Sequence, residues 1–272
     1  LHGVLPVRNL LFARREQEDA EITIPNPTKV RHYDTILDLE SIFEEHNYLG
    51  LPVVNKDGQL IGIIDRESTT EALQESATED LLKFQGLMGK EELRSMPLKV
   101  RSGRRLSWLS INIVLNLISA SIIAMHQDTL QAVIALAVFL PIISDMSGCS
   151  GNQAVAVSMR ELSLDLVSPK EFGRVFIKES SVGMINGACL GLLVGSLAWL
   201  WKGNVVLGLV VGSALALNTV VAVCVGGLVP LALKACRQDP ALASGPILTT
   251  VTDMCGFLLI LGLASLCLPY LV

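Results

Sequence analysis

The stretch Asp239-Pro-Ala-Leu-Ala-Ser-Gly-Pro-Ile-Leu-Thr-Thr-Val-Thr-Asp-Met-Cys-Gly-Phe-Leu-Leu-Ile-Leu-Gly262 places one carboxylate, Asp253, deep inside an apolar run. Read as a helix, it sets Gly245, Thr249 and Asp253 four residues apart on one face. That face offers an exposed backbone, a hydroxyl and a carboxylate, and Gly256 on the next turn lets a helix or a hydrated ion approach. An ionisable group in a membrane span is costly, so Asp253 and Thr249 are candidate metal-contacting residues, with Gly245 and Gly256 lining the path. Hard cations such as Mg²⁺ favour carboxylate oxygen and retain several waters.

Working outward, the chain divides by composition. Of its 26 Asp and Glu, 18 precede residue 106, as do 14 of its 21 Lys and Arg, although the whole chain is 51% hydrophobic. A charged half therefore leads into a membrane half. Five spans are expected, near 107–126, 130–158, 180–201, 204–233 and 243–270, each able to cross ~30 Å of hydrocarbon at ~1.5 Å per residue. The second and fourth are over-long, and a tilt or a break is expected at Pro141 or near Gly226–Gly227.

The basic residues Arg101, Arg104, Arg105, Arg160, Lys170, Arg174, Lys178, Lys234 and Arg237 lie on one side of these spans, and Lys202 lies on the other. The positive-inside rule then makes the charged half cytoplasmic and the C-terminus external, in a multi-pass cell-membrane protein.

The second span carries Asp145 and the run Ser147-Gly148-Cys149-Ser150-Gly151-Asn152-Gln153. Its small residues suit close helix packing. Asp145 is a second candidate metal residue or a buried polar partner, and Asn152 and Gln153 are candidate pore-lining groups. The six cysteines all fall in the membrane half without metal-ligand spacing.

The charged half contains a helix from Asp34 or Thr35 to about His46. A hairpin in Leu51-Pro-Val-Val-Asn-Lys-Asp-Gly-Gln-Leu-Ile-Gly-Ile-Ile-Asp65 follows, and then a second helix from near Ser68 through Leu82. On that second helix Glu71, Glu75 and Glu79 recur at i, i+4 and i+8, with Asp80 beside them. Such like charges repel by roughly 0.2–0.5 kcal/mol per pair, so this stripe is a candidate regulatory metal site.

Residues 22–77 resemble a CBS domain, with residues 1–13 as the tail, and closing strand, of a preceding copy and 14–21 as a charged linker. CBS domains often bind adenine nucleotides through Gly-x-x-Ser/Thr-x-x-Asp. Here Gly62 is followed by Asp65 and Ser68, which puts nucleotide binding in doubt. Residues 141–163 (PIISDMSGCSGNQAVAVSMRELS), 172–191 (FGRVFIKESSVGMINGACLG) and 239–256 resemble the MgtE family.

That resemblance implies a homodimeric Mg²⁺ channel or transporter in the lipid bilayer, α-helical with five spans per chain behind a small α/β CBS domain. It also implies that residues 78–105 are a connecting "plug" helix, that residues 106–272 are the membrane domain, and that Asp253 and Thr249 face the pore. Mg²⁺ would be both cargo and regulatory ligand. The chain departs from the family in two places: Gly245 stands where Asn is common, and Ser147-Gly148-Cys149-Ser150-Gly151 stands where Gly-Gly-Asn-x-Gly is usual, with Asp145 as an additional acid.

Other classes fit less well. The histidines at 2, 32, 46 and 126 form no HExxH motif for a membrane protease, and no enzyme is expected. A carboxylate without a compensating base disfavours an anion path. No basic patch points to nucleic acid. Another divalent cation such as Co²⁺ or Mn²⁺, or a Na⁺-coupled carrier, is the remaining alternative.

Overall fold

The computed structural model describes residues 1–14, 17–84, 96–164, 166–168 and 170–271. The chain separates into two compact units, Leu1–Thr78 and Glu79–Val272.

In the first unit, β1 (Gly3–Val4) precedes α1 (Val7–Phe12) and α2 (Asp19–Ile22), and pairs antiparallel with β2 (Ile24–Pro25). Residues 1–13 are thus not a single strand, because Val7–Phe12 is helical and exposed. Part of the expected linker is the short helix α2.

A three-stranded sheet follows. β3 (Val30–Arg31) runs parallel to β4 (Gly50–Val54), which is antiparallel to β5 (Leu60–Asp65). Between β3 and β4, α3 (Ile36–Glu45) lays Leu39 and Phe43 on Val30 and Leu51. Its start is set by a capping box: the Thr35 hydroxyl accepts from the Asp38 N–H at 3.3 Å, and the Asp38 carboxylate accepts from the Thr35 N–H at 2.9 Å. Its last carbonyls are satisfied by Arg66, which donates to the Phe43 carbonyl and, at 2.7 Å, to that of His46.

The β4–β5 turn needs Gly58 at φ 74°, and the Asn55 side chain accepts from the N–H groups of Asp57 and Gln59. α4 (Arg66–Phe84) leaves this unit, opening where the Asp65 carboxylate accepts from the Ser68 N–H at 2.7 Å. Gly62 has open space around it, while Asp65 and Ser68 are bonded to each other rather than presented as free ligands. The expected connecting segment beyond Phe84, through residue 95, lies outside the described residues.

The second unit is a helical bundle of α5 (Leu98–Met125), α6 (Gln127–Ala132), α7 (Leu136–Ser163), α8 (Phe172–Lys202), α9 (Val205–Ala235), α10 (Pro240–Leu266) and α11 (Leu268–Leu271). Among the described residues, α5, α8, α9 and residues 245–266 of α10 are long and apolar enough to cross a membrane. α7 has the same length as α5, but its polar residues hold it below that mark.

α5 begins at Leu98, before the expected 107, so Arg101, Arg104 and Arg105 stand on its first turns. Of the tilt or break expected at Pro141 or near Gly226–Gly227, no break is found, since α7 and α9 are continuous there. The chain is interrupted earlier, at residues 133–135, between α6 and α7.

α9 is the packing axis. Val210, Val211, Ala214 and Leu215 are buried against Leu136, Phe139 and Ile143 of α7 and Ile260 and Leu261 of α10. Against α8 it forms an antiparallel seam of small residues. A Cβ added to Gly191 would lie 2.5 Å from the Gly212 carbonyl oxygen, and one on Gly195 would lie 2.7 Å from that of Gly208. In a bilayer, where lipid tails are as apolar as leucine, such backbone approach supplies the van der Waals contact that holds helices together.

Candidate functional site

α10 carries the site. Its N-cap, Asp239, accepts from the Ala241 N–H at 2.9 Å, and Pro240 occupies the first turn, where no N–H is needed. From there Gly245, Thr249 and Asp253 follow at one-turn intervals. Thr249 is exposed, and its hydroxyl proton is donated to the Gly245 carbonyl at 3.0 Å. Its lone pairs are thereby left outward, as an acceptor for a water or a cation.

Asp253 is half-buried. Its carboxylate accepts from the Ser144 hydroxyl of α7, and no basic side chain pairs with it among the described residues. The face next to it is fully packed: Thr252 is buried, and the buried Asn218 of α9 donates to the Thr252 carbonyl at 3.1 Å. Gly256 belongs to that packed face. A Cβ there would lie 2.7 Å from Asn218 Nδ2 and 3.3 Å from Ile143. The absence of a side chain at Gly256 lets α7 and α9 approach α10 closely, the first of the two approaches expected there.

Asp145 is one residue beyond Ser144, a rotation of about 100° on a helix. It is exposed and makes no hydrogen bond or ion pair among the described residues. Asn152 and Gln153 are exposed on the same helix, whereas Ser147 and Gly151 are buried in the bundle. Thus α7 brings Ser144, not Asp145, to Asp253. Sequence reading passed over Ser144, although a hydroxyl one position before an acid was a visible polar group on a different helical face. It also passed over the Gly183–Gly187–Gly191–Gly195 repeat, whose four-residue spacing is the legible sign of the α8–α9 seam.

On α4, Glu71 and Glu75 are exposed. Glu79 is not a free member of that stripe, since Lys83 Nζ lies 3.2 Å from it and 3.0 Å from Asp239. Asp80 is partly buried, which pushes its carboxyl above the usual range. Among the described residues, no three His, Cys, Asp or Glu side chains gather into a group that could hold a metal ion.

The helices define a multi-span membrane protein with a small α/β domain ahead of it. Residues 140–263 match the model of the MgtE family, described as a divalent cation transporter, and residues 20–75 match that of the CBS domain. The magnesium transporter MgtE of Bacillus subtilis is 33% identical over 97% of this chain and 58% of its own length. Those of Enterococcus faecalis, 31% identical over 100% of this chain, and Thermus thermophilus, 33% over 98%, are each covered to 60%. Residues 140–263 are thus similar to the MgtE family domain, and nearly the whole chain is similar to these three transporters. The chain spans about three fifths of the length of these relatives, all of which are described as transporters and none as an enzyme.

Proposed function

We propose that the chain conducts Mg²⁺ across a cell membrane as half of a homodimer, with Asp253 as the principal cation site. The observation that carries this reading is the Gly245–Thr249–Asp253 face of α10, a carboxylate held in place by Ser144 and without a cationic partner among the described residues. The names of the relatives supply the ion. One carboxylate and one hydroxyl per chain are too few to strip Mg²⁺ of its water but can bind the hydrated ion, and symmetric pairing doubles them around one axis. Asp145, Asn152 and Gln153, exposed on α7, are proposed to contribute further polar groups to the assembled path.

We count α7 as a fifth crossing. It runs antiparallel to α10 over nearly the same length: Ser144 lies at Asp253 and Gly151 at Leu248, while Leu162, near the end of α7, takes a hydrogen bond from Lys234 just before α10 begins. Its polar residues are compatible with a span that shares its faces between protein and a hydrated path. Five crossings, with the basic residues gathered at one end, put the N-terminal region in the cytoplasm and the C-terminus outside.

Residues 22–77 act as the CBS domain, 1–13 as the tail of a preceding copy, 78–105 as the connecting segment and 106–272 as the membrane domain. Cytoplasmic Mg²⁺ at Glu71, Glu75, Glu79 and Asp80 closes the path when Mg²⁺ is plentiful.

The test is ion flux into proteoliposomes with Mg²⁺, Co²⁺ and Mn²⁺ in turn, with and without a Na⁺ gradient. Mg²⁺ flux independent of Na⁺ is expected. Flux that requires Na⁺, or that excludes Mg²⁺ in favour of another dication, would replace this reading with the coupled-carrier or other-divalent alternative.

A further inference from the structure

The side-chain amide of Asn218, on α9, reaches the peptide that carries Asp253. Its Nδ2 donates to the Thr252 carbonyl at 3.1 Å, and that carbonyl and the Asp253 N–H belong to one planar peptide group. In a regular helix the same carbonyl already accepts from the Gly256 N–H. The amide therefore enters the turn between Thr252 and Gly256 from the side, and Gly256 leaves the notch it needs. A Cβ there would stand 2.7 Å from Asn218 Nδ2 and 3.4 Å from Asn218 Cγ. Asn218 and Thr252 are wholly buried, while Asp253, one residue on, is half-buried and bonded to Ser144.

From this geometry we infer that Asn218 is a positioning residue for the cation site: with Gly256 as its notch, it fixes the rotation and height of α10 on α9, and so where the Asp253 carboxylate stands. The inference rests on the proposed function for the role of Asp253 and goes beyond it in naming what holds that residue from behind.

Packing alone does not account for an asparagine here. Its Oδ1 is buried without a hydrogen-bond partner among the described residues, and so is Ser147 Oγ on α7. Ser147 belongs to the same layer: a Cβ on Gly256 would meet Ile143, one on Gly151 would meet Leu248, and Ser147 and Thr252 lie midway between those two contacts. A buried polar group with one bond unmade is costly, and an apolar side chain of similar shape would fill the space without that cost. What the amide adds is direction. Apolar faces in a bilayer can rotate against one another with little change in contact, whereas a donor that meets one carbonyl does so at one register. A lone buried asparagine fixes the register of coiled coils in the same way. α9 is suited to carry it, because Leu215 and Ala222, about one turn to either side, are themselves wholly buried.

The experiment uses the full-length protein with Asn218→Leu, Asn218→Ala, Gly256→Ala and the Asn218→Ala/Gly256→Ala pair. Asn218→Leu keeps the bulk and removes the donor. In proteoliposomes its half-saturating Mg²⁺ concentration should rise by roughly two- to tenfold, the range of one hydrogen bond, with the maximal rate and the thermal midpoint close to wild type. Gly256→Ala leaves the amide's chemistry alone but pushes it from the turn, so half-saturation should rise there too. If Asn218→Leu does not fold, Gly256→Ala carries the same test. In thermal unfolding, Gly256→Ala should lower the midpoint in the wild-type background and much less in Asn218→Ala, where the amide it would meet is gone.

Rotation is read without transport by a water-soluble maleimide at Thr252→Cys, with the site of labelling located by mass spectrometry. That buried position should label slowly with Asn218 present and several-fold faster in the Asn218→Leu background. Wild-type half-saturation in both Asn218→Leu and Gly256→Ala would overturn the role at the cation site. Unchanged labelling would overturn the control of rotation, and additive midpoint losses in the pair would sever Gly256 from Asn218. If the wild-type protein carries no Mg²⁺ at all, the proposed function fails, while labelling still decides whether Asn218 sets α10.

Discussion

The Ser144 hydroxyl on α7 donates to the Asp253 carboxylate on α10, so the one acid deep in the apolar stretch of α10 is oriented by a neighbouring helix rather than by a countercharge. A hydrogen bond to a charged group contributes about 1.5–3 kcal/mol, enough to fix the carboxylate without neutralising it. Asp253→Ala should therefore abolish Mg²⁺ flux in proteoliposomes while leaving the folded oligomer intact. Ser144→Ala should retain flux with an apparent Mg²⁺ affinity changed by about tenfold or less. Normal transport by Asp253→Ala would put the path elsewhere.

The α8–α9 seam offers a prediction about assembly. Gly191→Val must push against the Gly212 carbonyl, and overpacking of this kind costs about 1–3 kcal/mol, occasionally more. A lower thermal midpoint in detergent, with loss of the monodisperse peak, is expected. Gly148→Ala, on α7 where nothing lies within 4 Å, is the control and should behave as wild type.

On α4, the acidic residues should separate into two classes. Glu71 and Glu75 are exposed, whereas Glu79 is engaged by Lys83. A Glu71/Glu75/Glu79→Gln triple variant should lose the dependence of channel activity on cytoplasmic Mg²⁺, and Glu79→Gln alone should shift it while also freeing Lys83. A triple variant with the wild-type Mg²⁺ dependence would remove the sensor assignment and leave the pore assignment untouched.

The capping box of α3 predicts a pH dependence for the first unit. Hydrogen bonds from the Thr35 side chain and backbone hold the Asp38 carboxyl below its usual range, and those from Ser68 do the same for Asp65. A carboxyl whose folded pKa is depressed contributes stability above its unfolded value, near 3.9, and loses it as pH falls through the folded value. Thermal unfolding followed by circular dichroism should show this acid-side loss, and Asp38→Asn should flatten it. Thr35→Ala removes the reciprocal cap and should cost about 0.5–2 kcal/mol at neutral pH.

Much of this was legible along the chain because it depends on local spacing. The capping pattern at Thr35–Asp38, the turn at Gly58, the four-residue interval of Gly245, Thr249 and Asp253, and the length of the apolar runs all follow from helix and strand periods. Composition separated the charged from the apolar half for the same reason: bilayer and water select residues one at a time.

Only the tertiary structure could decide which helix faces meet. It brought Ser144 rather than Asp145 to Asp253, turned Gly256 to Asn218, and paired Glu79 with Lys83 and Lys83 with Asp239 across more than 150 residues of sequence. A helix of period 3.6 presents every residue to some direction, and the sequence of one helix does not state the rotation at which its neighbour packs. That rotation is set by the shapes of all the contacting faces together, here above all by the glycines that let α8 and α9 approach at their backbones.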